Sequence, residues 1–155
     1  SHSSISKTGH KLLGGQARSN TRHNELCIGG IDADVAHTGD VSMQTDSETL
    51  MINGIKLAKE TWEETRSKLG WENSAMSRIF CHQVGSAHRK MLYETLKLDI
   101  KKDFPTLEYL GNTGSASLPI TMAIGIEKGL VKKDDNIAML GIGSGLNCVM
   151  LGVKW

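Results

Sequence analysis

The chain has 155 residues, and its 18 Lys and Arg against 17 Asp and Glu give a formal net charge of +1. A chain of this length suits one domain that buries about two thirds of the surface exposed when unfolded. The near-neutral charge indicates neither a nucleic-acid partner nor attraction to an acidic membrane surface. The 17 glycines follow no period, which excludes a collagen-like chain.

Three cysteines, Cys27, Cys81 and Cys148, occur without a Cys-x-x-Cys pair. This odd count indicates a reducing compartment rather than a disulfide framework or a zinc ribbon. The sequence shows neither an apolar run long enough to cross a bilayer nor a signal-peptide pattern, so we expect a cytoplasmic protein without a membrane span. The polar opening at residues 1–4 favours a piece of a longer protein.

Residues 1–47 are polar and weakly periodic, and we interpret them as a lead segment that is partly loop or disordered. Within this segment, residues 11–17 could form a short strand, and residues 25–31 are an ambiguous apolar patch. Residues 32–48 carry four Asp together with Gly, Ser and Thr, which predicts a loop.

Three helices are predicted in the remainder of the chain. Apolar residues recur every three or four positions from Thr49, which predicts an amphipathic helix that ends at Gly70. A second helix is predicted over residues 86–96, with Met91 and Leu92 buried. A third is predicted over residues 117–128, with Ser117 as its N-cap and Gly129 following its end. Its apolar residues surround most of the helix, which indicates burial between layers.

Strands are predicted over residues 78–81, 136–140 and 146–153. The last is apolar on both faces, which is typical of an internal strand covered by helices. The order of helices and strands predicts an α/β layered fold with a mixed sheet.

A glycine-rich turn, Gly141-Ile142-Gly143-Ser144-Gly145, follows one of these strands. A dinucleotide-binding motif would need a helix after the turn, whereas the ten residues that remain have a strand pattern. The turn can be a tight connection that needs positive φ. Alternatively, its backbone N–H groups can stabilise an oxyanion.

His82 ends an apolar strand, and Asn112 lies in a Gly-Asn-Thr-Gly loop. Each residue alone has an ordinary structural explanation, but together they offer two hydrogen-bond donors that need carry no charge. Such a pair suits an enolate or an oxyanion. A nucleophile is not indicated, because Cys81 points to the opposite face from His82 and Cys148 lies in an apolar strand.

Two further groups of residues are assigned no chemistry. His23 and Cys27 have helical spacing without any additional ligand, so we predict no metal site. His88, Arg89 and Lys90 form a basic run, which favours a solvated helix face over a partner contact.

Three motifs follow one another in the chain: His82-Gln83-Val84, the run Leu-Gly-Asn-Thr-Gly-Ser-Ala-Ser-Leu-Pro at 110–119, and the 141–145 turn. Together they resemble the C-terminal half of a β-ketoacyl-acyl carrier protein synthase III, a thiolase-like condensing enzyme. The resemblance covers residues 48–155 and implies that they form the C-terminal catalytic domain. It also implies that two similar α/β halves pack into one layered fold, usually in a homodimer.

The resemblance implies an acyltransferase of fatty acid or lipid biosynthesis that catalyses a Claisen condensation. A cysteine of the N-terminal half would take an acyl group from acyl-CoA, while His82 and Asn112 bind a malonyl-carrier thioester and stabilise its enolate. Backbone N–H groups of Gly143, Ser144 and Gly145 would bind the oxyanion at the acylated cysteine. The substrates would be acyl-CoA and acyl carrier protein thioesters, without a cofactor or metal. Because that cysteine lies outside these residues, we expect the chain alone to be inactive and to expose apolar surface.

Two departures from the family pattern leave alternatives open. Val84-Gly85 replaces the usual Ala-Asn, and Gly143-Ser144-Gly145-Leu146 replaces Gly-Gly-Gly-Phe. With the segment at 13–19, they look closer to a branch that condenses two acyl-CoAs head to head without decarboxylation. A non-catalytic thiolase-like binding subunit is the other alternative, which the presence of both His82 and Asn112 disfavours.

Overall fold

The computed structural model describes residues 3–31 and 41–155. In chain order the described helices and strands are β1 (Lys11–Ser19), β2 (Cys27–Ile31), β3 (Val41–Thr45), α1 (Ser47–Leu69), β4 (Arg78–Cys81), α2 (Ser86–Leu96), α3 (Leu107–Leu110), α4 (Ser117–Glu127), β5 (Asn136–Gly143) and β6 (Asn147–Lys154). Within these described ranges, no helix is both long enough and apolar enough to cross a bilayer.

Four strands form a mixed sheet in the order β1-β6-β5-β4. β4 and β5 are parallel, whereas β5–β6 and β1–β6 are antiparallel pairs. β6 is therefore an internal strand, as its apolar sequence predicted, but the expected helical cover on both faces is wrong, because Val149 is 44% exposed. β2 and β3 pair with each other in a separate antiparallel ribbon. The predicted α/β fold with a mixed sheet is confirmed.

One face of the sheet, here called the α1 face, is closed by α1 and α2. The side chain of Asp46 accepts a hydrogen bond from the Thr49 N–H at the start of α1, and Gly70, with φ of +64°, ends the helix. The side chains buried on this face form the main core of the chain: Ile55, Leu57, Ala58, Trp62, Trp71, Met76, Ile79, Cys81, Leu92, Tyr93, Leu96, Leu98, Ala138, Leu140, Leu146, Cys148 and Met150.

The other face, here called the α4 face, is covered only in part. α4 packs on Phe80, where Gly125 allows close approach because a Cβ there would lie 2.6 Å from the ring. The opposite side of the helix is open, and Ile120 is 37% exposed. The sequence predicted a helix buried on most sides, but no further layer in the described part of the chain covers this side of α4. α4 is therefore buried on one side only, and the prediction of a helix buried between layers is not met within the described residues.

The lead segment contains more regular structure than its composition predicted. β1 confirms the short strand expected at residues 11–17 and joins the main sheet beside β6. The prediction of a loop over 32–48 is wrong at 41–45, which form β3, and at Ser47, where α1 begins. The part of this prediction that covers residues 32–40 lies outside the described ranges. The boundary at residue 47 stays a prediction.

Three local expectations need correction. Met91 was predicted to be buried but is 36% exposed, whereas Leu92 is buried as expected. Ser117 is not an N-cap, since it lies within the first turn of α4 and its hydroxyl bonds back to Thr113. β5 extends through Gly143, so the turn that joins it to β6 is shorter than the predicted turn at 141–145.

Candidate active site

His82 leaves the sheet directly after β4. Its backbone N–H donates a hydrogen bond of 2.9 Å to the carbonyl of Leu140 on the parallel strand β5. The imidazole is half-buried, and loss of solvation lowers its pKa below the usual 6.5. The ring is therefore neutral at neutral pH, as the predicted role of an uncharged hydrogen-bond donor requires.

The basic run that follows His82 is not one solvated face. His88 is only 7% exposed, and its pKa is lowered first by burial and then by the nearby charge of His82. The guanidinium of Arg89 binds the carboxylate of Asp103, which is fully buried. Lys90 alone matches the prediction, since it lies on the surface with its Nζ 3.9 Å from Glu94.

The two buried thiols are unsuited to nucleophilic attack. Burial, followed by the charge of Asp103, raises the pKa of Cys81 far above its usual value. Burial raises the pKa of Cys148 to about 11. Neither side chain supplies a thiolate at neutral pH, which agrees with the absence of an indicated nucleophile in the sequence.

Asn112 lies in the loop between α3 and α4, with its side chain exposed. Its Oδ1 accepts a hydrogen bond of 3.0 Å from the N–H of Gly114. The hydroxyl of Ser117 also donates to this oxygen, over 3.4 Å. Because the loop holds the carbonyl oxygen, the amide nitrogen is the part of the side chain that can donate to a ligand.

The turn between β5 and β6 is held by hydrogen bonds, one of which comes from the residue that follows β1. Gly145 and Leu146 adopt positive φ of +69° and +43°. The carbonyl of Leu146 accepts a hydrogen bond of 2.7 Å from the N–H of Asn20, which follows β1. The side chain of Asn147 donates to the carbonyl of Ser144 over 3.0 Å. These bonds fix the direction of the backbone groups at 143–145.

The three predicted parts of the site lie at one edge of the sheet. β4 and β5 are parallel, so His82 and the end of β5 leave the sheet on the same side. From Leu140, opposite His82, β5 runs three residues to Gly143, which spans about 10 Å. The side chain of Leu118, at the start of α4, lies near Gly141. The hydroxyl of the preceding residue, Ser117, donates to Asn112, which ties the Asn112 loop to this edge.

From the sequence, Gln83 had no assigned role and Ser117 only that of an N-cap, yet both residues are almost completely buried. The side-chain oxygen of Gln83 binds the backbone at the start of α3, and that of Ser117 binds the Asn112 loop. The only indication in the sequence was that each of these polar residues lies within one of the three motifs. Their burial depends on residues distant in the chain.

The structure gives no support to the His23 and Cys27 pair as ligands. His23 lies at a kink in a 3₁₀ segment, Thr21–Leu26, and Cys27 begins β2, so helical spacing does not apply to them. In residues 3–31 and 41–155, no group of three or more His, Cys, Asp or Glu side chains could hold a metal ion.

Solved structures with the same fold define the class of protein. FabH, the 3-oxoacyl-(acyl carrier protein) synthase III of Xanthomonas oryzae, is similar to 98% of this chain, with a TM-score of 0.87 and 38% identity. OleA from Xanthomonas campestris is similar to 99% of the chain, with a TM-score of 0.88 and 37% identity. The chain covers 42% of each of these structures. The fold is therefore that of the thiolase-like condensing enzymes.

Residues 67–155 match the family described as 3-oxoacyl-[acyl-carrier-protein] synthase III C terminal, and the chain belongs to this family. An acyl-CoA:acyl-CoA alkyltransferase of Shewanella oneidensis is 40% identical over 146 residues, 94% of this chain and 42% of that protein. A β-ketoacyl-acyl-carrier-protein synthase III of Clostridium botulinum is 30% identical over 162 residues, 97% of this chain and 49% of that protein. The chain thus spans less than half the length of these relatives.

Proposed function

We propose that this chain is the C-terminal half of an enzyme that joins two acyl-CoA thioesters head to head, in a Claisen condensation without decarboxylation. The observation that carries the proposal is the common sheet edge of His82, the Asn112 loop and the 143–145 turn. Two acyl-CoA:acyl-CoA alkyltransferases, 40% and 39% identical to the chain, favour a second acyl-CoA as the partner substrate.

The first half-reaction is acyl transfer to a cysteine of the N-terminal half. The thiolate attacks the acyl-CoA carbonyl, an oxyanion forms, and the CoA thiolate leaves as the acyl-enzyme is completed. Backbone N–H groups of Gly143, Ser144 or Gly145 stabilise that oxyanion, because the hairpin holds them in place before charge develops. A structure of Xanthomonas campestris OleA contains bound lauric acid and lauroyl-CoA, which supports acyl-CoA as the donor.

The second half-reaction uses His82 and Asn112. Each donates a hydrogen bond to the thioester oxygen of the second acyl-CoA, so an enolate forms there when a base takes the α-proton. The enolate carbon attacks the acyl-enzyme carbonyl, the carbon–carbon bond forms, and the cysteine thiolate leaves. The product is a β-ketoacyl-CoA. Since both residues are assigned as donors, the base is a separate group.

Decarboxylative condensation with malonyl-acyl carrier protein is the second candidate. The family description and the Clostridium botulinum relative favour it. In this reaction the loss of carbon dioxide leaves the electron pair of the enolate, so no base is needed, and the same two donors bind the thioester oxygen.

The proposal requires the remaining half of the enzyme as a partner, in a protein that we expect to be a homodimer. The α4 face is the surface that we assign to contact with that half, since Ile120 and Val149 are 37% and 44% exposed on it. Acyl-CoA and acyl carrier protein thioesters are expected as substrates, without a cofactor. The chain alone should form no acyl-enzyme on any of its three cysteines, as mass spectrometry after incubation with acyl-CoA would show.

The assignment of the donors is tested by His82→Ala and Asn112→Ala in the full-length enzyme. Acylation of the cysteine, followed by mass spectrometry, should stay within a few-fold of the wild-type rate. Condensation should fall about 100- to 1,000-fold, the usual loss on removal of one such donor. His10→Ala, at the far end of the sheet, and Asn24→Ala, on the exposed 3₁₀ segment, are the matched controls. Unchanged condensation in both site variants would refute the assignment.

The second substrate is tested with the wild-type full-length enzyme. Long-chain acyl-CoA as the sole substrate should yield a β-ketoacyl product without release of carbon dioxide. If product appears only after addition of malonyl-acyl carrier protein, together with carbon dioxide, the decarboxylating reaction replaces the head-to-head one.

A further inference from the structure

Gln83 has a buried side-chain amide that forms hydrogen bonds through both its nitrogen and its oxygen. It directly follows His82 and is only 3% exposed. Its Nε2 donates to the carbonyl of Cys81 over 2.8 Å. Its Oε1 accepts from the backbone N–H groups of Thr106 and Leu107, each over 3.1 Å. One side chain thus joins the end of β4 to the start of α3.

The loop that carries Asn112 is held by hydrogen bonds at both of its ends. On the first side, Gln83 holds the N–H of Leu107 at the start of α3, the short helix that leads into the loop. On the second side, the buried hydroxyl of Ser117 binds Asn112 Oδ1 and, over 3.0 Å, the N–H of Thr113. The loop therefore has two fixed ends, and one of them is fixed by the residue next to His82.

A hydroxyl pair closes the connection into a ring. Thr121 lies one helical turn after Ser117 on α4, and its Oγ1 is 2.5 Å from the Oγ1 of Thr106. Both threonines are buried, so this bond is shielded from water. The ring runs from Gln83 through Thr106 and Thr121 to Ser117 and Asn112, and it couples the strand end that carries His82 to the loop that carries Asn112.

We propose that Gln83 is a positioning residue that sets the place of Asn112 relative to His82. The inference rests on the proposed function, in which these two residues bind the same thioester oxygen. Two donors stabilise one developing oxyanion only if both lie at hydrogen-bond distance from it, and a misplacement of about 1 Å can cost roughly 100-fold in rate. A side chain that ties the two backbone segments together supplies this precision.

The test uses the full-length enzyme with Gln83→Leu, which has similar bulk but neither the donor nor the acceptor. We expect cysteine acylation within about threefold of wild type and a fall of about 100-fold in kcat of condensation. KM for the second acyl-CoA should change less than kcat, since the lost precision weakens binding of the enolate more than of the ground state. Gln83→Glu keeps the acceptor for Thr106 and Leu107, and should recover part of kcat.

Gln16→Leu is the matched control. It removes a half-buried glutamine whose Nε2 donates to Glu64 over 2.8 Å, between β1 and α1. If any lost glutamine bond lowers kcat through general loosening, Gln16→Leu should lower it as well. We expect its condensation kcat within about twofold of wild type, because this bond does not connect His82 to Asn112.

A gentler variant covers the case in which Gln83→Leu does not fold. The double change Thr106→Val with Thr121→Val removes both partners of one bond and leaves no hydroxyl unpaired, so stability should change little. We expect a fall in condensation kcat of about fivefold to tenfold with normal acylation. Wild-type kcat in this double variant, or in folded Gln83→Leu, would overturn the proposal.

Measurement of His82→Ala in the same experiment distinguishes failure of the proposed function from failure of the positioning role of Gln83. If His82→Ala retains condensation, the proposed function fails, and the role of Gln83 fails with it. If His82→Ala abolishes condensation while folded Gln83→Leu keeps wild-type kcat, the proposed function stands and only the positioning role is refuted.

Discussion

The two faces of the sheet differ in how completely this chain covers them. On the α1 face, Trp62, Ile55 and Ala58 of α1 are buried together with side chains of α2. On the α4 face, Phe80, Val131 and Ile137 are buried, while the apolar residues around them are only partly covered. Residues 3–31 and 41–155 therefore supply one complete core and one incomplete core.

This difference bears on the proposed second half of the enzyme, which would need an open apolar surface to pack against. A face that excludes water by itself needs no partner, whereas exposed apolar residues such as Val149 and Ile120 mark a surface made for contact. The proposed site lies at the sheet edge where the α4 face is open, so an arriving second half would both cover apolar surface and complete the site.

The largest expected effect comes from Trp62→Ala on the α1 face. Trp62 is 1% exposed, so its loss leaves a cavity and should lower the free energy of unfolding by about 3–5 kcal/mol. Ile120→Ala, on the open side of α4, should lower it by less than about 1 kcal/mol. Urea unfolding of the two variants measures both. Equal losses would mean that the two faces are equally covered.

A smaller effect is expected at the contact that holds α4 on its face. Gly125→Ala places a Cβ where the ring of Phe80 lies 2.6 Å away, and should cost about 1–3 kcal/mol as the helix shifts outward. Gly129→Ala, after the end of the helix, is the comparison, since it probes positive φ without a packing neighbour. A loss of stability at Gly125 no greater than at Gly129 would show that α4 is held loosely. Thermal unfolding can compare the two.

Acidification should weaken the α1 side through His88 on α2. Burial lowers the pKa of His88 below 6.5, so the unfolded chain takes up this proton before the folded chain does. The free energy of unfolding should therefore fall as the pH drops below about 6.5, toward the lower folded-state pKa. His88→Gln should flatten this dependence in urea titrations at pH 7.5 and 5.5. An unchanged slope would exclude His88 as its source, and His10→Gln is the control.

The smallest effect is expected at the rim of the α1 face. Arg18 on β1 pairs with Glu60 over 3.4 Å and with Glu64, in contact with solvent. Because water and salt screen such pairs, Arg18→Met should change stability little, and the change should vanish in high salt. Arg66→Met, which removes the exposed pair with Glu72, should behave alike. A large, salt-independent loss at Arg18 would show that this rim is part of the core.

Much of the fold follows from local patterns. The apolar stripe and Gly70 predicted α1 almost to its ends, and the structure starts it two residues earlier because Asp46 caps it. The second helix was predicted with the observed bounds of α2. The position of His82 at a strand end and of Asn112 in a loop was also readable, because both follow from the sequence beside them.

Other features depend on residues far apart in the chain. β1 has a partly polar sequence, yet it pairs with β6 from Lys11 opposite Lys154 to Ser19 opposite Asn147. Strand pairing uses backbone groups, so it leaves a weak signal in the side chains. The sequence placed His88 in a solvated basic run. Only the tertiary packing of α2, the helix that carries His88, shows that this residue is buried.

The sequence by itself determined the types of group available for chemistry, namely two uncharged donors and a glycine-rich turn, and the helices and strands that carry them. Only the tertiary structure decided that these groups meet at one sheet edge, that Gln83 links two of them and that α4 keeps an open side. The reason is physical. Periodicity is a property of neighbours in the chain, whereas burial and hydrogen bonding depend on residues that the fold brings from elsewhere.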